Sequence, residues 1–278
     1  MNISSVKQSL KKNKYIDAAS RIIAYPYFKK MYAEADQEAE KRLQGMECPK
    51  FSWIKQYKDL YAGERCFVVA TGPSLTLDDL NLIEKEKSFS MNSAVLALQG
   101  TKWRPDFYMI QDEYVFQKLR EKIKESAESD LKNIWISESL EKRFGNGEHY
   151  KVFPLHYLDH KMYHYSGYGK FMFSDDCYRT IYDGYTITFS VLQMAAYMGF
   201  KKIYLLGCDC NYKLPKAHFV EYGHKDPKAA IMGDKMIAGH YEFKKFADAR
   251  GIEVINCTRG GMLEVYPRLS LETVLKEK

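Results

Sequence analysis

Residues Cys66-Phe67-Val68-Val69-Ala70-Thr71-Gly72-Pro73-Ser74-Leu75 constrain this chain more than any other stretch. Four apolar residues, two of them β-branched, make a short buried strand, and Gly72-Pro73 ends the run in a turn. Thr76-Leu77-Asp78-Asp79 follows, a Thr-x-x-Asp spacing that caps a helix from Leu77 to about Lys85. A strand that breaks at glycine and opens a helix leaves backbone N–H groups in the crevice at its carboxyl end. With the helix dipole, such groups seat a phosphate or carboxylate. Gly72 then admits a ligand to the backbone, Pro73 stiffens the turn and Ser74 donates a hydroxyl. An ordinary β-turn-α connection has the same pattern, and the stretch is neither a GxGxxG nor a Walker loop, so it names no ligand by itself.

Short β-rich runs alternate with helix-length periodicity along the rest of the chain, which makes the class α/β. Ser88–Asn92, Phe107–Ile110 and Asn133–Ile136 read as strands, as do Lys201–Gly207 and Ile252–Asn256. Three of the strands finish in a small or polar residue, as in sheets that gather ligand groups at their carboxyl edge, so Asn92 and Asp112 become candidates. Either one is equally readable as a strand-end turn residue. Tyr185-Thr186-Ile187-Thr188 opens an apolar helix that stops at Gly199, and Asp209 follows the next strand. A helix from Asp234 to Arg250 precedes the last central strand, and Ser270 caps a short final helix.

Residues 1–62 form a helical extension, with Lys7, Lys11, Lys12 and Lys14 ahead of an apolar run that Pro26 interrupts, then a second helix from Phe28 to about Leu43. A basic helical start rests either on anionic lipid headgroups or, as a solvated helix, on the domain or a neighbouring subunit. Residues 63–278 form the main domain. Within it, residues 150–185 are aromatic and irregular and read as a lid or acceptor-recognition segment. His156, His160 and His164 recur at i, i+4 and i+8 there, yet no carboxylate or thiol accompanies them at zinc-site spacing, so no metal ligands are assigned.

With 278 residues and 46% hydrophobic content, the chain can bury one large core or two unequal ones. No apolar run approaches the roughly 18–20 residues that span a bilayer, and the polar start is no signal peptide. The six cysteines are scattered, which fits neither a disulfide framework nor a zinc site and points to reduced thiols in the cytosol. A net charge of +6 suits an anionic substrate or a membrane surface, and no nucleic-acid module is present.

Three segments carry a resemblance. They are Cys66–Leu75 with Asn92 and the Trp103-to-Asp112 stretch; Thr186 through Gly207-Cys208-Asp209; and Asn256 through Gly261 to Arg268. Together they resemble bacterial proteins of polysaccharide gene clusters whose domain is labelled 6-hydroxymethylpterin diphosphokinase MptE-like. More distantly they are similar to the bacterial sialyltransferases of glycosyltransferase family 42. The resemblance covers residues 63 to about 275 and implies a Rossmann-like, mostly parallel sheet flanked by helices. It implies a glycosyltransferase that moves a sugar from a nucleotide-activated donor, CMP-linked in the sialyltransferases, to a glycan acceptor of a surface polysaccharide. In those enzymes the loop at Gly72, Pro73 and Ser74 and the residue at Asn92 hold the nucleotide, a hydroxyl near Thr186 or Thr188 assists, and a histidine serves as base without metal. Here Ala70 and Thr71 replace a Gly-Asn pair, Asp112 stands about where an amide is usual, and Asp234 falls nearest the histidine in simple alignment.

Asp112 and Asp209 are assigned to the ligand site: Asp112 to a sugar or ribose hydroxyl, Asp209 to ordering the loop after its strand. For the base, His218 and His224 lie on the loop after the Asp209 strand, with His218 preferred, whereas His240 sits inside a helix where packing is expected. The nucleotide sugar is a substrate, and no cofactor is expected. Two alternatives stand beside this reading: a diphosphokinase with Mg²⁺ held by Asp112 and Asp209, and a non-catalytic nucleotide-binding subunit. The expected setting is the cytoplasm, with possible peripheral contact at the inner membrane face through the basic helices, and the chain is a candidate homo-oligomer.

Overall fold

The computed structural model describes residues 14–156, 171–212, 218–220, 223 and 229–276. Seven strands form one parallel sheet: β1 (Arg65–Val69), β2 (Ser88–Met91), β3 (Phe107–Ile110), β4 (Ile134–Ser137), β5 (Tyr150–Phe153), β8 (Lys202–Leu206) and β9 (Glu253–Asn256). Their order across the sheet is β5-β4-β3-β2-β1-β8-β9. A small second sheet pairs β6 (Leu155–His156) with β7 (Ile181–Tyr182). The α/β, Rossmann-like class expected from the sequence is the fold observed.

The central strands read as continuous apolar runs because both faces are covered. Cys66, Phe67, Val68 and Val69 of β1 are fully buried. Helices α2 (Leu77–Leu82), α3 (Glu113–Ser129), α4 (Glu138–Phe144), α5 (Ile187–Tyr197), α6 (Ala229–Asp248) and α7 (Leu271–Val274) supply much of the cover. Thr76 caps α2 with the expected box: the Asp79 amide donates to Thr76 Oγ1 at 3.2 Å and the Thr76 amide donates to Asp79 Oδ2 at 3.1 Å. Ser270 caps α7.

Three expectations change. Helix α1 (Lys14–Leu43) runs through Pro26 as one element; a proline removes one i→i−4 bond, but a helix can continue past it. The 3-10 helix at Pro49–Tyr57, assigned from sequence to the extension, buries Phe51, Ile54 and Tyr57 in the same core as the sheet. Trp53 Nε1 donates to the Val152 carbonyl at 2.8 Å. Residues 150–153 are no lid but the edge strand β5, and His156 lies buried in β6, which cancels a one-faced helix of His156, His160 and His164. His160 and His164 lie outside the described residues, as do Lys7, Lys11 and Lys12. Among the described residues no helix is long and apolar enough to cross a membrane.

Candidate functional site

The sheet order reverses direction between β1 and β8: the chain leaves β1 towards β2 on one side and β8 towards β9 on the other. The two strands run level, with Val69 beside Leu206. Their carboxyl ends therefore open a crevice at the topological switch point, where parallel sheets bind ligands. A cleft whose empty volume is about 590 Å³, open solvent included, occupies that place. It is lined by Gly72, Pro73, Asn92, Thr186, Thr188, Asp209 and His218 among the candidates. Cys210, Tyr212 and His240 line it too and were not among the candidates.

Ser74 sits behind the lining and acts through Asp209. Its hydroxyl donates to Asp209 Oδ2 at 2.8 Å, and its backbone amide donates to the same carboxylate. A Cβ on Gly72 would lie 2.0 Å from Asp209 Oδ2 and 2.5 Å from the Gly207 carbonyl oxygen. The Asp209 loop presses on Gly72 closely enough to require a glycine there, and the same residue lines the cleft. The turn's amides are also committed. Gly72 N–H donates to the Gly207 carbonyl at 2.8 Å and Leu75 N–H to the Gly72 carbonyl at 3.2 Å. The amides of Gly72 and Leu75 are therefore not free to seat an anion, since chain segments packed this closely satisfy their own backbone groups first. The Asp209 carbonyl in turn accepts from Met262 N–H at 2.7 Å. Burial pushes the Asp209 carboxyl above its usual range, opposed by the Ser74 donors and by Arg268.

Asn92 follows β2 with a left-handed backbone (φ 47°), and Cys210 (φ 50°) and Tyr185 (φ 73°) share that conformation. Two of these line the cleft and the third adjoins Thr186. For non-glycine residues this costs on the order of 1 kcal/mol or more each, and such outliers cluster at functional sites. Asn92 Oδ1 is buried with no hydrogen-bond partner among the described residues, an acceptor left open beside the cleft. Thr186 caps α5: the Thr188 amide donates to Thr186 Oγ1 at 3.3 Å. The Thr186 hydroxyl donates to Thr188 Oγ1 at 3.1 Å, and the Thr188 hydroxyl points to Met91 Sδ at 3.6 Å. The hydroxyls of Ser74, Thr186 and Thr188 all spend their protons inside the protein, so what remains to them is acceptor capacity.

His218 is held at the cleft because the neighbouring Phe219 is buried and its amide donates to the Thr71 carbonyl at 3.1 Å. His224 lies outside the described residues. His240 of α6, 1% exposed, packs its ring 4.8 Å from that of Phe189, and its Nδ1 lies 3.0 Å from Tyr266 Oη. The neighbouring Gly239 allows this, since a Cβ there would lie 2.6 Å from the Phe189 ring. A helix carrying Gly233 and Gly239 six positions apart was the available sign of a closely packed α6.

Asp112 is not in the cleft. It is the exposed cap of α3, with Oδ1 accepting the Val115 amide at 2.8 Å. Its neighbour Gln111 is the buried amide: Nε2 donates to Asp183 at 2.9 Å and Oε1 accepts from Ser190 at 2.7 Å. Asp112 follows β3 and Asp209 follows β8, with β2 and β1 between them. Three strand spacings amount to about 14 Å, so the pair cannot share one Mg²⁺ ion. Among the described residues, no three His, Cys, Asp or Glu are grouped to hold a metal ion.

A family model described as 6-hydroxymethylpterin diphosphokinase MptE-like matches residues 44–214. No curated protein matches the chain. Among solved structures, the MAf glycosyltransferase from Magnetospirillum magneticum AMB-1 is similar at 18% identity and a TM-score of 0.51, over 81% of this chain and 38% of that one. The sialyltransferase CstII from Campylobacter jejuni, in complex with a substrate analogue, cytidine-5'-monophosphate, aligns at 12% identity and a TM-score of 0.47, over 75% of this chain and 86% of that one. The chain thus spans well under half of the MAf structure and shares a glycosyltransferase-like fold with it.

Proposed function

The chain belongs to the MptE-like family, and from that premise we propose that it is a glycosyltransferase that moves a sugar from a nucleotide-activated donor to a glycan acceptor. One observation carries this reading. The cleft at the β1/β8 switch point draws Gly72, Pro73, Asn92, Thr186, Thr188, Asp209 and His218 into one place from distant parts of the chain. Its open acceptors suit a ligand rich in hydroxyl groups. Asp209 shapes the site by holding the Gly72–Ser74 turn. His218 stands at the cleft as the general base for the acceptor hydroxyl, a task an imidazole performs near neutral pH. A CMP-linked donor follows from the sialyltransferase-like segments of the sequence. Attachment of the basic N-terminal residues to a membrane surface belongs to the same proposal.

The family description also names a diphosphokinase, but the carboxylates that would hold its Mg²⁺ lie three strands apart. A thermal-shift series with CMP, UDP, GDP and ATP, with and without Mg²⁺, separates the readings, because a ligand that binds the native state raises its melting temperature. Stabilisation by CMP, UDP or GDP without metal is expected. Stabilisation by ATP alone, and only with Mg²⁺, would sink the glycosyltransferase reading. With a working donor, His218→Ala is expected to lower turnover by about 10²–10⁴ with nucleotide affinity little changed.

A further inference from the structure

We propose that Nε2 of His240 is a hydrogen-bond acceptor in the cleft wall that receives a hydroxyl of the ribose or sugar of the bound nucleotide sugar. This rests on the reading above and adds a positioning residue to it. Tyr266 Oη lies 3.2 Å from the His240 backbone carbonyl and 3.0 Å from His240 Nδ1. A carbonyl can only accept, so the single phenolic proton goes to it, and Tyr266 Oη must then accept from a protonated Nδ1. That accounting fixes the tautomer and leaves Nε2 with its lone pair. Nε2 has no partner among the described residues, and His240 is one of the residues that line the cleft.

Burial lowers the His240 pKa to about 3, so the ring stays neutral near pH 7 and takes a hydrogen bond rather than a proton. This separates its role from that of His218. Its surroundings match, since the groups nearby whose bonds are known, Asn92 Oδ1 and the inward-donating hydroxyls of Thr186 and Thr188, also offer acceptors. A hydroxyl-bearing ring supplies donors for such a wall, whereas a bare phosphate supplies none.

The test uses the full chain with ¹⁵N-labelled histidine. Nitrogen-detected NMR from pH 5 to 8, with the His240 signals assigned by their loss in H240Q, should show a protonated Nδ1 and a bare Nε2 throughout. The opposite tautomer, or titration of this ring in that range, overturns the proposal. Binding supplies the second arm. H240N keeps a donor near Tyr266 but removes the cleft acceptor, while H240Q places an amide oxygen near the position of Nε2. Affinity for CMP or CMP-N-acetylneuraminate is expected to fall at least about tenfold in H240N and to recover to within a few-fold in H240Q. A loss already seen with CMP, and absent with 2′-deoxy-CMP, assigns the ribose. A loss confined to CMP-N-acetylneuraminate assigns the sugar. Equal affinity of H240N and wild type overturns the role. If wild type binds no nucleotide at all, the nucleotide reading fails, and the tautomer spectrum still decides whether Nε2 is an acceptor.

Discussion

Gly72 holds its place because of a carboxylate far along the chain. Asp209 fills the space where a side chain would go, so Gly72→Ala must part the two loops or turn Asp209 outward. Such overpacking costs roughly 1–3 kcal/mol, which for a chain of this size lowers the melting temperature by several degrees. Thermal unfolding checks it, and an unchanged midpoint refutes the constraint. The sequence marks Gly72, Ser74 and Asp209 as special, yet it cannot pair them, because 135 positions separate Ser74 from Asp209. His240 reads as a packing residue in the sequence for a related reason: its helical neighbours look like core, and the Tyr266 hydroxyl that bonds its Nδ1 lies 26 positions on. Its folded pKa of about 3 lies below the ordinary 6.5. The stability it contributes is full above pH 6.5 and is lost as the pH falls from there to about 3. The slope reaches at most about 1.4 kcal/mol per pH unit. Urea unfolding of H240Q should be flatter across that window than wild type; parallel curves would show that the ring is not held neutral.

Among the elements, α5 presents the threonines, and the amide of Gln193 anchors it. Gln193 Oε1 accepts the amides of Ser174 at 2.9 Å and Tyr182 at 3.1 Å, and Nε2 donates to the carbonyls of Tyr182 and Phe189, each at 2.9 Å. Gln193→Leu keeps the volume but strands buried backbone groups, at roughly 1–3 kcal/mol for each one left unpaired. The amides of Ser174 and Tyr182 should then exchange hydrogen at least tenfold faster than in wild type; unchanged protection there would mean that other contacts hold the segment. Strands with a clear apolar run were legible: β3 was placed to the residue. The edge strand β5 was not: Gly145-Asn146-Gly147 and Pro154 bracket Tyr150-Lys151-Val152-Phe153, but the four residues were absorbed into the aromatic stretch that follows.

At the scale of the whole molecule, α1 is strapped to the body. Arg42 Nε donates to the Arg179 carbonyl at 2.7 Å, Glu40 pairs with Arg179, and Tyr32 donates to Met172 Sδ at 3.1 Å. Arg42→Ala with Glu40→Ala should lower the melting temperature by a few degrees and leave the far-ultraviolet dichroism intact; no shift would mean the strap adds nothing. The parallel α/β layout could be read from the alternation of elements, whereas the docking of α1 could not, since its polar contacts carry no periodic signal. The β1/β8 junction has one more consequence, which lies in time. Arg65–Val69 and Lys202–Leu206 are neighbours in the sheet but far apart in synthesis, and the Asp209 loop bonds to Thr258 and Met262, which are made later still. A growing chain can pair β1 with β2 early, but β1 then carries an open edge until β8 leaves the ribosome, and such long-range parallel pairing is slow. The cleft is therefore among the last features to mature, and the strand that walls it is the one most exposed to mispairing while it waits.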